Sequence, residues 1–210
     1  MSAVAAPTER LVTLSGVSWE TYERLLCDYQ DRPGTRFTYN DGDLEIMVLS
    51  ARHEQPNRIL ALLVEVVAAE FGINVCPLGS TTFKRSDLLK GFEPDTGFYI
   101  AHAAEMEGKE VDPAVDPPPD LTIEVDVTSR SLDRFPVFAA FGVPEVWRYD
   151  ESRARVLIYR LEGGRYVVVE SSAVLPPLTG ALLTGFLEER RRLLSAAWVR
   201  LVRDWARRQR

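Results

Sequence analysis

The chain has 210 residues, 46% of them hydrophobic and 27% charged, with a formal net charge of −6. These proportions suit one globular domain with a sizeable core; they exclude a mostly disordered chain, and no apolar run is long enough to cross a bilayer. Met1 to Thr8 lack the basic start and apolar stretch of a secretory leader, so the expectation is a soluble, cytoplasmic protein without a membrane partner.

Ser18 before Trp19, Tyr22, Leu25 and Leu26 predicts a capped amphipathic helix over about 18–29, stopped by Asp31 to Gly34. Arg36 to Asn40 and Leu44 to Leu49 flank Asp41-Gly42-Asp43 and predict a β-hairpin. From about His53 to Phe71, Ile59, Leu63, Val66 and Val67 follow helical spacing, with Gly72 as the stop. Val75 to Lys84 and the residues after Asp95 are expected as strands, and the Asp-, Glu- and Pro-rich stretch 101–119 as a loop unable to hold a core element.

Leu121 to Thr128 alternates strictly, which is the period of a half-buried strand. A short helix over Ser131 to Phe141, weakened by Pro136 and ended by Gly142, and a strand over Val143 to Tyr149 complete a βαβ unit, so those two strands should be parallel. Val156 to Leu161 and Tyr166 to Glu170, joined through Gly163-Gly164, predict a last hairpin. The fold class is therefore α/β (α+β): a central mixed sheet flanked by helices, with an N-terminal helix and β-hairpin. The domain would occupy 1–180, followed by a C-terminal amphipathic basic helix over 181–210.

Charge is uneven along the chain. From Glu188 to Arg210 eight arginines face three acids, a net of +5 that leaves −11 elsewhere. That tail could contact phosphates or simply be a solvated face. Its apolar stripe, Leu187, Leu194, Trp198, Leu201 and Trp205, should pack on the domain or on a second copy, giving a homodimer through this helix. Cys27 and Cys76 have no CxxC spacing and are expected as buried thiols, while His53 and His102 are too few for a histidine-based metal cluster. Trp147 and Tyr149 are expected in the packing.

The chemistry concentrates in Glu93-Pro94-Asp95 and in Leu121 to Thr128. Asp95 and Glu124 each project from a strand, and on neighbouring strands their carboxylates would repel unless a proton or a hard divalent cation lay between them. A solvated sheet face is the alternative.

Three stretches, "TYNDGDLEIMVLSARHEQPNRIL", "GSTTFKRSDLLKGFEPDTGFYI" and "PPPDLTIEVDVTSRSLDRFPVFAAFGVPEVWRYD", resemble in matching order the Uma2 family, whose core is similar to the PD-(D/E)xK restriction-endonuclease fold. The resemblance implies a Mg²⁺-dependent endonuclease, with Mn²⁺ as a substitute ion and DNA as the substrate. Asp95 and Glu124 would be metal ligands together with the main-chain carbonyl of Val125. Asp126 stands at the third motif position, where lysine is usual. The catalytic cation would be Lys84, at a strand end, or Arg134, in the stretch where Uma2-like chains often have a compensating lysine. Glu65 in the long helix, His53 and Glu45 are further candidates for the site. The second function class is a catalytically silent member that serves as a nucleic-acid or protein interaction module; Asp126 and Arg134 are the departures that favour it.

Overall fold

The computed structural model describes residues 10–29, 34–126 and 133–210. In chain order its elements are β1 (Arg10–Leu14), α1 (Trp19–Tyr29), β2 (Thr35–Asn40), β3 (Asp43–Val48), α2 (Ala51–Phe71), β4 (Cys76–Gly79), β5 (Phe83–Arg85), β6 (Lys90–Phe92), β7 (Thr96–Tyr99) and α3 (Ala103–Met106). They continue with β8 (Leu121–Asp126), α4 (Phe135–Phe141), β9 (Glu145–Asp150), β10 (Arg155–Glu162), β11 (Arg165–Val169), α5 (Gly180–Arg192) and α6 (Ser195–Arg208).

The strands form two sheets. One is antiparallel, in the order β1-β3-β2-β6-β5; the other runs β11-β10-β9-β8-β7-β4 and is mixed, because β8 and β9 are parallel. The expected βαβ unit is therefore present, and the first hairpin turns through Asp41 and Gly42, both at positive φ, as a two-residue loop requires. The sheet expected to be single is double because β5 and β6, three residues each, extend the N-terminal hairpin instead of joining β7. Short strands of that length have no readable period.

Several expectations change with this arrangement. The run 75–84 is two strands in different sheets, broken after Gly79, which sits at φ 56. The stretch 101–119 holds α3, whose Ala103 and Met106 are buried. Pro136 lies in the first turn of α4, where its missing N–H costs no helical bond, instead of weakening the middle. The predicted stop at Asp31, the strand end at Val127 and Thr128, and the helix start at Ser131 lie outside the described residues. Cys27 is exposed, being off the Tyr22, Leu25, Leu26 stripe of α1, and Cys76 is only half-buried.

The main core forms where α2 lies against the mixed sheet. Leu60, Leu63, Val64 and Val67 of α2 meet Ile123, Val125, Trp147 and Tyr149. The C-terminal tail joins that core as two helices, broken around Leu193 and Leu194, and Trp198, Leu201 and Trp205 pack there with Leu187. Leu194 alone of the predicted stripe stays outside, 84% exposed. The stripe that suggested a homodimer is thus covered by its own chain. On the other side of the mixed sheet, Val137 and Phe138 of α4 pack with Phe83, Phe92 and Val146, which clamps the two sheets together. No helix among the described residues is long and apolar enough to cross a membrane.

Candidate active site

Antiparallel pairing of β7 with β8 ends at Thr96 opposite Ile123. Extending that register by one pair sets Asp95 across from Glu124, and the Asp95 N–H donates to Glu124 Oε1 at 3.4 Å. The ladder is diverted here: Asp95 Oδ2 accepts the Val125 N–H at 2.8 Å, taking the place of a main-chain oxygen. In an extended strand the N–H and C=O of one residue project to the same side, so the Val125 carbonyl is directed to that same strand edge.

Helix α2 supplies the next layer. Ser50 caps it by accepting the His53 N–H at 3.3 Å, which fixes the first turn against the sheet. His53 Nε2 lies 3.1 Å from Asp95 Oδ2. One turn on, Asn57 donates through Nδ2 to the Asp95 carbonyl at 3.2 Å and accepts from Thr96 Oγ1 at 2.9 Å. Asn57 escaped the sequence reasoning, although its place four residues after His53 puts it on the same helix face.

The face of β8 that bears Glu124 was expected at the surface, yet Glu124 is only 7% exposed. The first sheet covers it. Arg134, just ahead of α4, bridges the layers: Nη1 donates to Glu124 Oε2 at 2.7 Å and Nη2 donates to Glu45 Oε1 at 3.0 Å, on β3. Glu93, named in the sequence only as part of the Glu93-Pro94-Asp95 segment, accepts the Phe37 N–H at 2.8 Å and the Thr82 hydroxyl at 2.6 Å, and so ties that segment to the first sheet. Burial pushes its carboxyl up, against those two bonds.

The electrostatics separate the two carboxylates. Burial raises the Asp95 carboxyl, but the His53 contact and the charges of His53 and Arg134 outweigh it, and the net shift is downward. Burial and the Asp95 charge push Glu124 up to about 7, with Arg134 pulling the other way. Burial disfavours the Arg134 charge, yet Glu124, Asp95 and Glu45 more than compensate, so this guanidinium holds its proton more tightly than an ordinary arginine. It can stabilise negative charge and cannot serve as a base.

The remaining candidates sit apart from this cluster or at its rim. Asp126 is ion-paired with Arg148. Lys84 is on β5, the edge strand of the first sheet, and pairs with Glu23 of α1 at 2.7 Å. Glu65 is exposed on α2, three turns from His53. The structure brings Asp95, Glu124, Val125, Arg134, His53 and Glu45 together, and it does not bring Lys84 or Glu65 to them.

The profile of the Uma2 family, described as "Putative restriction endonuclease", matches residues 19–189. The chain belongs to the Uma2 family. A search of curated proteins finds no match. The Uma2 match spans α1 through most of α5 and so includes every member of the cluster.

Membership of a family described as a putative restriction endonuclease implies a hard divalent cation, and the oxygens at Asp95 suit one. Asp95 Oδ1 is buried with no hydrogen-bond partner among the described residues. Beside it, Asp95, Glu124 and Glu45 are three carboxylates around the guanidinium of Arg134. No group of three or more His, Cys, Asp or Glu side chains among the described residues is arranged to hold a metal. Magnesium does not demand one, since it commonly takes one or two carboxylates and completes its shell with water and substrate oxygens.

Proposed function

We propose that this Uma2 protein is a Mg²⁺-dependent endonuclease that hydrolyses DNA phosphodiester bonds, with Asp95 and Glu124 as the carboxylate ligands and the Val125 carbonyl as a further one. The observation that carries the reading is the unpartnered, buried Asp95 Oδ1 beside a second buried carboxyl group, that of Glu124. A buried carboxylate oxygen without a donor is costly, and an oxygen-seeking cation is the ligand that relieves both this atom and the Asp95–Glu124 repulsion. When bound, the ion supplies Lewis acidity and neutralises charge on the phosphoryl oxygens.

The chain's own residues then have defined work. His53 and the Val125 N–H orient Asp95 through Oδ2, leaving Oδ1 for the ligand. Asn57 holds the Asp95 peptide in place. Arg134 fixes Glu124 and presents a permanent positive charge where negative charge grows on a phosphate in the transition state. Asp126, tied to Arg148, stands where the motif usually has lysine; as a carboxylate it can accept a proton but cannot supply the missing positive charge.

A second reading has its own observation. Arg134 already bonds both Glu124 and Glu45, so an internal cation balances part of the negative charge, as in a silent member that binds nucleic acid or protein without cutting. Supercoiled and linear DNA incubated with Mg²⁺ or Mn²⁺ separates the two. Nicking by the wild type that is abolished in Asp95→Asn supports the hydrolase; no cutting by the wild type, or equal cutting by both proteins, rejects it.

A further inference from the structure

Three arginines from two helices face one cleft beside the carboxyl ends of β8 and β9. Arg52 comes from the first turn of α2, and Arg190 and Arg191 from the last turn of α5; Gln55 and Tyr149 line the space between them, an open cleft of about 100 Å³. Each guanidinium is held by a bond of its own. Arg52 Nε donates to Glu151 Oε1 at 2.6 Å, Arg190 Nη1 to the Leu193 carbonyl at 2.9 Å, and Arg191 Nη2 to the Tyr149 hydroxyl at 3.1 Å. A guanidinium has five N–H donors, so after these bonds most of each fork remains available to a ligand.

Charge points the same way. Among the described residues, Glu151 is the one carboxylate lining the cleft, against three arginines, in a chain whose net charge is −6. So local a positive excess suits an oxyanion that accepts paired N–H bonds, and the phosphate group is one whose geometry the arginine fork matches.

The cleft is also next to the candidate active site. Tyr149 is the β9 residue paired with Val125, and Arg52 immediately precedes His53, whose ring touches Asp95. Tyr149 and Val125 face α2, whereas Glu124 faces the first sheet, so the cleft and the carboxylates occupy the two sides of the same strand ends.

We propose that this cleft is a second phosphate-binding site, in which Arg52, Arg190 and Arg191 hold a backbone phosphate of a nucleic-acid strand while an adjoining part of that strand lies at Asp95 and Glu124. The anion chemistry belongs to the cleft alone; attributing the phosphate to a nucleic acid rests on the function proposed above.

The test is a titration of fluorescein-labelled single-stranded and duplex DNA by anisotropy, in EDTA and over a series of salt concentrations. It compares the full-length wild type with Arg52→Gln/Arg191→Gln and with Arg200→Gln/Arg208→Gln, which removes equal charge from exposed positions of α6. The cleft variant should bind about tenfold more weakly and lower the slope of log affinity against log salt by about 0.7–0.9 for each phosphate that the protein no longer neutralises, with the α6 variant close to wild type. Equal weakening by both variants, an unchanged slope in the cleft variant, or no DNA binding by the wild type overturns the proposal. Inorganic phosphate that raises the melting temperature of the wild type but not of the cleft variant, with DNA binding unchanged, identifies a free anion as the ligand and overturns the nucleic-acid assignment. Because the titration is done without metal, cleft-dependent binding by a protein that never cuts DNA would reject the hydrolase and leave this site standing.

Discussion

Arg134 and Glu124 are joined at 2.7 Å across the gap between the two sheets, and the same guanidinium reaches Glu45 at 3.0 Å. The pair is nearly dry, with side-chain exposures of 10% and 9%. Removing one member of a buried ion pair strands the other charge and costs about 3–5 kcal/mol. Arg134→Met should therefore destabilise the fold by about that amount in urea denaturation with EDTA, and Arg134→Lys by less, since it keeps the charge but loses the fork. If a hard cation can occupy the carboxylate pair, Mn²⁺ should restore more stability to Arg134→Met than it adds to the wild type. A variant as stable as wild type in EDTA would show that the clamp contributes nothing.

Trp198 makes the tail part of the core. It is fully buried, its indole N–H donates to the Phe186 carbonyl at 2.7 Å, and it shares a cluster with Val64 and Val67 of α2. Trp198→Ala should cost about 3–5 kcal/mol through the cavity and the orphaned carbonyl, measured as a shift of the denaturation midpoint. Leu194→Ala, at a position 84% exposed, should leave both stability and the light-scattering mass unchanged. A near-neutral Trp198→Ala would mean that α6 is an appendage.

These two sites mark how far the sequence could be read. The alternation of Leu121 to Asp126, the βαβ spacing and the turn at Asp41-Gly42 are local signals, and they placed β8, its parallel neighbour β9 and the first hairpin. Asp95 and Glu124 could be named because each sits at a motif position and their strands follow one another. The Arg134–Glu45 contact joins residues 89 apart in the chain, and nothing local announces it. The cover over Glu124 was equally hidden, because a half-polar strand looks the same whether water or a second sheet meets its polar face. Lys84 went astray for the related reason that β5 is too short to show which sheet it enters.

Tyr22 offers a test of packing away from the site. Its ring stacks on Tyr39 with centroids 4.9 Å apart, and its hydroxyl is buried with no hydrogen-bond partner among the described residues. A Cβ at Gly91 would fall 2.2 Å from that oxygen. Gly91→Ala should destabilise by about 1–3 kcal/mol through overpacking, whereas Tyr22→Phe, which deletes an unsatisfied polar group, should be neutral or stabilising. Thermal melts of the two variants decide this; a Tyr22→Phe loss as large as that of Gly91→Ala would reveal a partner for the hydroxyl.

Glu70 gives the attachment of α6 to α2 a dependence on pH and salt. Its carboxylate accepts Arg203 Nε at 2.5 Å and Arg207 Nε at 3.0 Å, and these bonds hold its carboxyl below the usual range. A carboxylate depressed on folding binds fewer protons in the native than in the unfolded chain, so its contribution is complete above the unfolded value near 4.5 and is lost as pH falls through the folded one. Wild type should thus exceed Glu70→Gln in stability at pH 7, and the gap should close on acidification below about pH 4.5. Because the arginines are about half exposed, the gap should be small and should shrink in molar salt. Paired melts of both proteins over pH and ionic strength measure it; a gap that persists unchanged at low pH would assign the effect to packing of the glutamate stem and not to its charge.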